Sequence, residues 1–238
     1  MTEEALARSA NTSRPSQDGA RRDAKRSDRK EQVNCHVCVI DDDASMRRSL
    51  VDLLKSVGMS AKEFGSAADV LGEKSLTDVG CFIVDIRLPG VSGLEFQSQL
   101  QKSGVGAPII FMTGHADVPM TVQAMKAGAF DFLTKPFREQ EMLDAVARAT
   151  AMNAARIQDQ KQASDIVARF ETLSAREREV MTLVTAGLMN KQAAARIDIA
   201  ISTVKTHRTQ IMKKMGARSL ADLVRMAEQL QLTTPYAK

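Results

Sequence analysis

Only three cysteines, Cys35, Cys38 and Cys81, occur in 238 residues, so they cannot all pair and no disulfide framework is available. No run of apolar residues approaches the length of a bilayer span, and the first residues lack the apolar core of a signal peptide. A soluble cytoplasmic protein with reduced thiols, making no membrane contact, is the expectation. Large apolar side chains are almost missing from residues 1–33, which are rich in Arg, Ser, Asp, Lys and Ala. Such a stretch cannot bury enough surface to offset the entropy of ordering, so it reads as a disordered N-terminal extension. A weak basic arm for DNA is one account of it, and a later natural start, for example at Val33, is another.

Charge is distributed unevenly. Residues 1–33 carry eight basic and six acidic side chains, residues 34–150 carry eleven and fifteen, and residues 151–238 carry fourteen and eight. An acidic middle and a basic end suggest two domains with different partners. The basic end points to a polyanion, most simply nucleic acid.

In the acidic part, the stretch Cys81-Phe82-Ile83-Val84-Asp85 reads as a buried parallel strand that runs into a carboxylate, with Pro89-Gly90 turning the chain soon after. Val37-Cys38-Val39-Ile40 likewise ends in Asp41-Asp42-Asp43. The helix that follows places Met46, Leu50, Leu53, Leu54 and Val57 at helical spacing and stops at Gly58. A weaker strand over about 61–64, a helix over about 66–74, a helix beyond Gly93, a strand 108–112 ending at Thr113, a helix over 118–127 and a strand 130–133 ending before Lys135-Pro136 complete the alternation. Five strands alternating with helices predict a doubly wound parallel (βα)5 sheet.

The carboxyl edge of such a sheet, where ligands bind, would gather Asp41, Asp42, Asp85, Thr113 and Lys135. Three converging carboxylates repel one another unless a divalent cation lies among them, and all-oxygen ligands suit Mg²⁺. With Lys135 as a fixed cation and Thr113 as a hydroxyl donor, the set predicts phosphoryl transfer to Asp85, the cations neutralising charge while the carboxylate attacks in line.

Taken in order and spacing, Asp41-Asp42, Asp85 with Leu88-Pro89-Gly90, Thr113-Gly114 and Lys135-Pro136-Phe137 resemble the receiver domain of two-component response regulators. Gly114 to Met120, Ala124 to Ala129 and Asp131-Phe132 are similar to the FixJ branch. The resemblance covers about residues 36–150. It implies that Asp85 is the phosphoacceptor, served by a phosphohistidine on a sensor histidine kinase. It further implies that Asp42 and Asp85 bind Mg²⁺ directly, Asp41 through water, and Arg87 through its backbone carbonyl. Thr113 and Lys135 would hold the transferred oxygens, Phe132 would be the aromatic switch, and the peptide before Pro136 is expected to be cis. Asp43 reads as a solvated residue of the first helical turn.

Residues 138 to about 165 read as helical, with 151–165 as a linker; Gln158 to Gln162 contains no Gly or Pro. Ser174-Ala175-Arg176-Glu177 is a capping box. Its helix buries Val180, Leu183 and Val184 and stops at Gly187; Asn190 is expected to cap a short helix, and Ile201–Met215 forms another before Gly216. Two short helices joined by a tight turn predict a helix-turn-helix, whose second helix enters the DNA major groove. Ser219 with Asp222 starts a last helix.

Residues 166–231 resemble the LuxR-type DNA-binding domain, through Leu173 to Val180, Ala186 to Gln192 and Thr203-Val204-Lys205-Thr206-His207, with residues 232–238 as a tail. The motif lies at about 190–209. Val204, Ile211 and Met215 are expected in the core, with Ser202, Lys205, Thr206, Thr209 and Lys213 on the opposite face. The resemblance brings Lys205, Thr206 and Thr209 near bases, while Lys191, Thr203 and Arg208 are read as phosphate contacts. The family usually carries Gly and Ser where this chain has Asp198 and Ala200. Asp tolerates the left-handed conformation, whereas Ala200 cannot cap its helix, a loss of roughly 1 kcal/mol.

Cys35 and Cys38 would point to opposite faces of a strand and cannot share a metal. His207 reads as packing beside the core stripe, and His115 has no nucleophile to serve. The expectation is therefore a phosphorylation-gated regulator that dimerises, binds promoter DNA and meets RNA polymerase, with no enzymatic activity beyond self-phosphorylation from a phosphodonor and slow autodephosphorylation. Two other readings compete. An aspartyl-phosphate phosphatase would want a second acid two positions after Asp85, where Arg87 stands; a constitutive DNA-binding regulator would use the receiver only as a dimerisation scaffold.

Overall fold

The computed structural model describes residues 36–114 and 118–232. The expected N-terminal extension over 1–33, Cys35, His115 and the tail beyond residue 232 lie outside the described residues. The chain divides into two compact units, Met1–Ala145 and Val146–Lys238.

The first unit alternates strand and helix: β1 His36–Ile40, α1 Ala44–Ser56, β2 Ser60–Phe64, α2 Ala67–Leu71, β3 Val79–Asp85, α3 Gly93–Lys102, β4 Ile109–Thr113, α4 Val118–Lys126 and β5 Asp131–Thr134. All neighbouring strands pair in parallel, in the order β2-β1-β3-β4-β5. Every residue of β3 and of β4 is buried, which is why neither sequence alternates: helices cover both faces. The edge strand β2, with Ser60, Lys62 and Glu63 exposed, does alternate partly. Phe82 of β3 meets Phe96 of α3 edge to face in the core, with ring centroids 5.7 Å apart. Strand order reverses between β1 and β3, and the crevice at that reversal is where a doubly wound sheet binds ligands.

Two helices differ from the spacing-based expectation. α2 is confined to Ala67–Leu71 rather than running to residue 74, because Gly72 ends it soon after Ser66 caps it by accepting from the Asp69 amide. Val57 is not part of the buried stripe of α1; it is the C-cap residue, and half exposed, ahead of Gly58 at φ +80°. Cys38 and Cys81 are buried in β1 and β3. Burial pushes the Cys38 thiol up to about 12, which leaves it protonated and unreactive at neutral pH.

A long helix, α5, runs over Glu139–Glu171, past the expected end near residue 165. The second unit continues with α6 Ala175–Thr185, α7 Asn190–Arg196, α8 Ile201–Met215 and α9 Leu220–Gln229. Its core gathers Leu173, Val180, Leu183, Ala194, Val204, Ile211 and Leu223, with Ile166 and Phe170 of α5 packed against it. Among the described residues no helix is long and apolar enough to cross a membrane.

Candidate functional site

Four strand ends build the first site. Asp41 follows β1 directly, Asp85 is the last residue of β3, Thr113 is the last of β4, and Lys135 follows β5. The sheet register sets Asp85 beside Met112 and Thr113 beside Thr134, and the Lys135 amide donates to the Thr113 carbonyl at 2.6 Å. The Lys135–Pro136 peptide is cis.

Lys135 Nζ donates to Asp41 Oδ2 at 2.7 Å and to Asp85 Oδ2 at 2.6 Å. Partial burial pulls its ammonium down, but the two carboxylates outweigh burial and hold it above the ordinary lysine value. Asp41 is buried, and its Oδ1 accepts from the Asp43 amide; Asp85 Oδ1 accepts from the Arg87 amide at 2.8 Å. The Asp42 carboxylate is exposed and has no partner among the described residues. Carboxylate oxygens of Asp41, Asp42 and Asp85 lie within 4.8 Å of one another. One ammonium among three carboxylates leaves two negative charges uncompensated. That donor set, all oxygen with one carboxylate unengaged, fits a hard divalent cation such as Mg²⁺.

Thr113 is fully buried at its strand end, and Phe132 is half-buried, paired in register with Phe111 and packed against the core. Arg87 meets Asp85 through its amide, and nothing among the described residues donates to its carbonyl. Asp43 is exposed, yet it is more than a solvated residue. Its carboxylate caps α1, accepting from the Ser45 amide at 2.8 Å.

Two residues close to the site escape sequence reasoning. Gly93 opens α3 where an added Cβ would lie 2.9 Å from Ile86 Cα, 2.9 Å from the Phe111 ring and 3.0 Å from the Asp85 carbonyl. Only glycine allows the helix to come so close to the end of β3. Arg47 donates through Nη1 to the Asp41 carbonyl at 2.7 Å and to the Asp42 carbonyl at 3.1 Å. The sequence does not single it out, because Arg48 beside it is a like cation on the same helix.

The second site lies on α7 and α8. Ser174 and Glu177 cap each other's amides as predicted. The structure adds Lys214 of α8, whose Nζ reaches the buried Glu177 carboxylate at 2.7 Å. The α7 cap is a correction. Asn190 is the first helical residue rather than the cap; Met189 holds the N-cap position, its amide bonded to Gln192 Oε1. The Asn190 side chain instead accepts from Arg208 Nη1 at 2.7 Å and ties α7 to α8. Asp198 sits in the turn at φ 52°, and Ala200 caps α8 with no side-chain bond.

Val204, Ile211 and Met215 are fully buried, and Ser202, Thr203, Lys205, Thr206, Thr209 and Lys213 are exposed, as is Lys191 on α7. Thr206 and Thr209 donate their hydroxyls to the Ser202 and Lys205 carbonyls of their own helix. His207 is half-buried.

Comparison with known proteins identifies the family of each unit. Residues 37–147 match the response regulator receiver domain, and residues 171–227 match the bacterial regulatory proteins of the luxR family. Nodulation protein W of Bradyrhizobium diazoefficiens is 52% identical over 203 residues, covering 85% of this chain and 89% of that protein. Transcriptional regulatory protein FixJ of Rhizobium meliloti is 43% identical over 191 residues, covering 80% and 94%. The solved structure of response regulator StyR superposes with a TM-score of 0.76 at 45% identity, covering 82% of this chain and 98% of that one.

Proposed function

Because the chain belongs to the NarL/FixJ family of response regulators, which join a receiver domain to a LuxR-type DNA-binding domain, we propose that phosphoryl transfer to Asp85 switches its hold on promoter DNA. The observation that carries this is Lys135 bonded to both Asp41 and Asp85, with Asp42 close enough to complete an acidic triad.

The donor is a phosphohistidine on a sensor histidine kinase. An Asp85 carboxylate oxygen attacks phosphorus in line, the O–P bond forms as the N–P bond breaks, and the departing imidazole keeps the electron pair. Asp41, Asp42 and Asp85, with the Arg87 carbonyl, would hold Mg²⁺, which would supply charge neutralisation for the incoming phosphoryl oxygens. Lys135 exchanges its bond to Asp85 Oδ2 for one to the new oxygens, because the phosphorylated carboxylate has lost the charge that held it. Asp41 keeps the ammonium in place through that exchange.

Phosphorylation replaces one carboxylate charge with ~1.5 to 2 negative charges. Thr113 must leave its buried position to donate to the phosphoryl group, and Phe132 turns into the space. The surface of α4 and β5 then rearranges and pairs with a second copy. Two linked effector units occupy half-sites roughly 34 Å apart on one face of DNA, where RNA polymerase can meet them. Lys205, Thr206 and Thr209 approach bases, and Lys191, Thr203 and Arg208 hold phosphates. A guanidinium has five N–H donors, so Arg208 can bond both Asn190 and a phosphate.

Selection of genomic DNA fragments by the purified protein, with and without acetyl phosphate and Mg²⁺ at one salt concentration, tests the proposal. Enrichment that depends on the phosphodonor and disappears in Asp85→Ala is the expected result. Equal enrichment in both arms would reduce the receiver to a scaffold.

A further inference from the structure

Resting on the reading of Asp41, Asp42 and Asp85 as the Mg²⁺ pocket, we propose that Arg47 is the positioning residue that holds the Asp41-Asp42 turn in the geometry the cation requires. The turn after β1 must present one aspartate buried against Lys135 and the next exposed towards the ion, two residues in succession with opposite surroundings. Neighbouring carbonyls on such a turn would ordinarily be left to water. Here a single guanidinium nitrogen, Arg47 Nη1, takes both, at 2.7 Å from Asp41 O and 3.1 Å from Asp42 O.

Arg47 is not a surface cation that happens to fold back. Its side chain is 18% exposed, Nε is buried without a hydrogen bond among the described residues, and the Glu63 carboxylate of β2 stands 3.7 Å from Nε. Burying part of a guanidinium costs free energy unless the bonds it makes matter. The rest of the turn is fixed by independent bonds: the Asp43 amide to Asp41 Oδ1, the Asp43 carboxylate to the Ser45 amide, and the Arg47 amide to the Asp43 carbonyl. Among the described residues Arg47 alone holds the two carbonyls, and through the Asp41 carbonyl the peptide plane between the two aspartates. Because the side chains of Asp41 and Asp42 leave that plane at either end, its orientation sets where their oxygens meet.

Electrostatics makes the role decidable by sign. A cation beside a cation site repels the ion, so removing Arg47 charge alone would tighten divalent binding. Loss of the brace would loosen it instead. Outer partners that orient metal ligands typically carry about 10-fold or more in affinity.

The experiment measures Mn²⁺ affinity of the full chain by electron paramagnetic resonance of the free ion, on wild type, Arg47→Met, Arg47→Lys and Asp42→Ala. Circular dichroism shows that each is folded. Arg47→Met keeps the apolar stem and deletes donor and charge; its dissociation constant should rise about 10-fold. Arg47→Lys keeps a cation able to reach the carbonyls, and should stay within about threefold of wild type. Unchanged or tighter binding in Arg47→Met overturns the role of Arg47 while leaving the pocket intact. If Arg47→Met does not fold, a loss in Arg47→Lys as large as about 10-fold overturns it instead. Wild type that binds no Mn²⁺, or Asp42→Ala that binds as well as wild type, removes the pocket reading itself, and the role of Arg47 with it.

Discussion

Lys135 Nζ lies 2.6 Å from Asp85 Oδ2, and the same ammonium is 2.7 Å from Asp41 Oδ2, so one side chain from the end of β5 neutralises carboxylates carried by β1 and β3. Without it, two poorly solvated carboxylates would face each other across the switch point of the sheet. Lys135→Met should therefore destabilise the receiver unit by roughly 2–3 kcal/mol, less than a fully buried pair, because the lysine side chain keeps 18% exposure. Millimolar Mg²⁺ should raise the melting temperature of the variant more than that of wild type, since the cation replaces the missing charge. Calorimetry with and without Mg²⁺ checks this; equal shifts would contradict it.

Gly93→Ala tests the close approach of α3 to β3. The new methyl meets the Ile86 backbone, next to the end of β3, and the ring of Phe111, which is fully buried on β4, both at 2.9 Å. A loss of about 1–3 kcal/mol in guanidinium unfolding is expected, with slower phosphorylation by acetyl phosphate.

The pH response of the effector unit should come in part from Glu177, alongside Asp222, whose carboxyl Arg225 holds below its usual value. The Lys214 ammonium bonded to Glu177, and the Ser174 amide that Glu177 accepts from, hold its carboxyl below the usual glutamate value. A depressed folded-state value means that stability is fully present above the ordinary value of 4.5 and is lost as pH falls through the folded one. Wild type should lose melting temperature as pH falls below 4.5, and Glu177→Gln should flatten that slope in the second unit. A slope unchanged in the variant would point to other carboxylates.

Ala200→Ser restores an oxygen at the cap of α8. Ala200 already has the extended backbone of an N-cap, φ −66° and ψ 146°, and lacks only the acceptor. The substitution should stabilise the unit by about 1 kcal/mol. Thermal unfolding of the full chain checks it.

On DNA the two groups of exposed residues should separate by salt dependence. Lys191→Ala should weaken binding to all sequences alike and lower the salt slope by about 1. Thr206→Val should leave the slope and relax sequence preference, because its hydroxyl, now bonded to Ser202 O, is then unavailable to a base. Binding titrations on a selected and a scrambled fragment at several salt concentrations distinguish these.

The sequence by itself determined the alternation of strand and helix, because apolar runs that end in Asp or Thr and helical stripes that end in Gly obey short-range rules. It also determined the capping box at Ser174, the buried stripe of α8 and the left-handed Asp198, each set by a residue and its immediate neighbours. Asp41, Asp42, Asp85, Thr113 and Lys135 were legible because they stand at or just after strand ends, and parallel strands bring their carboxyl ends to one edge. Tertiary structure decided what lies beyond a residue's own turn. In sequence Arg47 is one more surface cation; the fold brings its guanidinium to two carbonyls at the end of β1. Asn190 has the chemistry of a cap, but Arg208, eighteen residues on, claims its side chain. Lys214 becomes part of the α6 cap only because α8 packs beside it. Hydrogen bonds between residues far apart in sequence depend on how elements meet, and local propensity carries no record of that meeting.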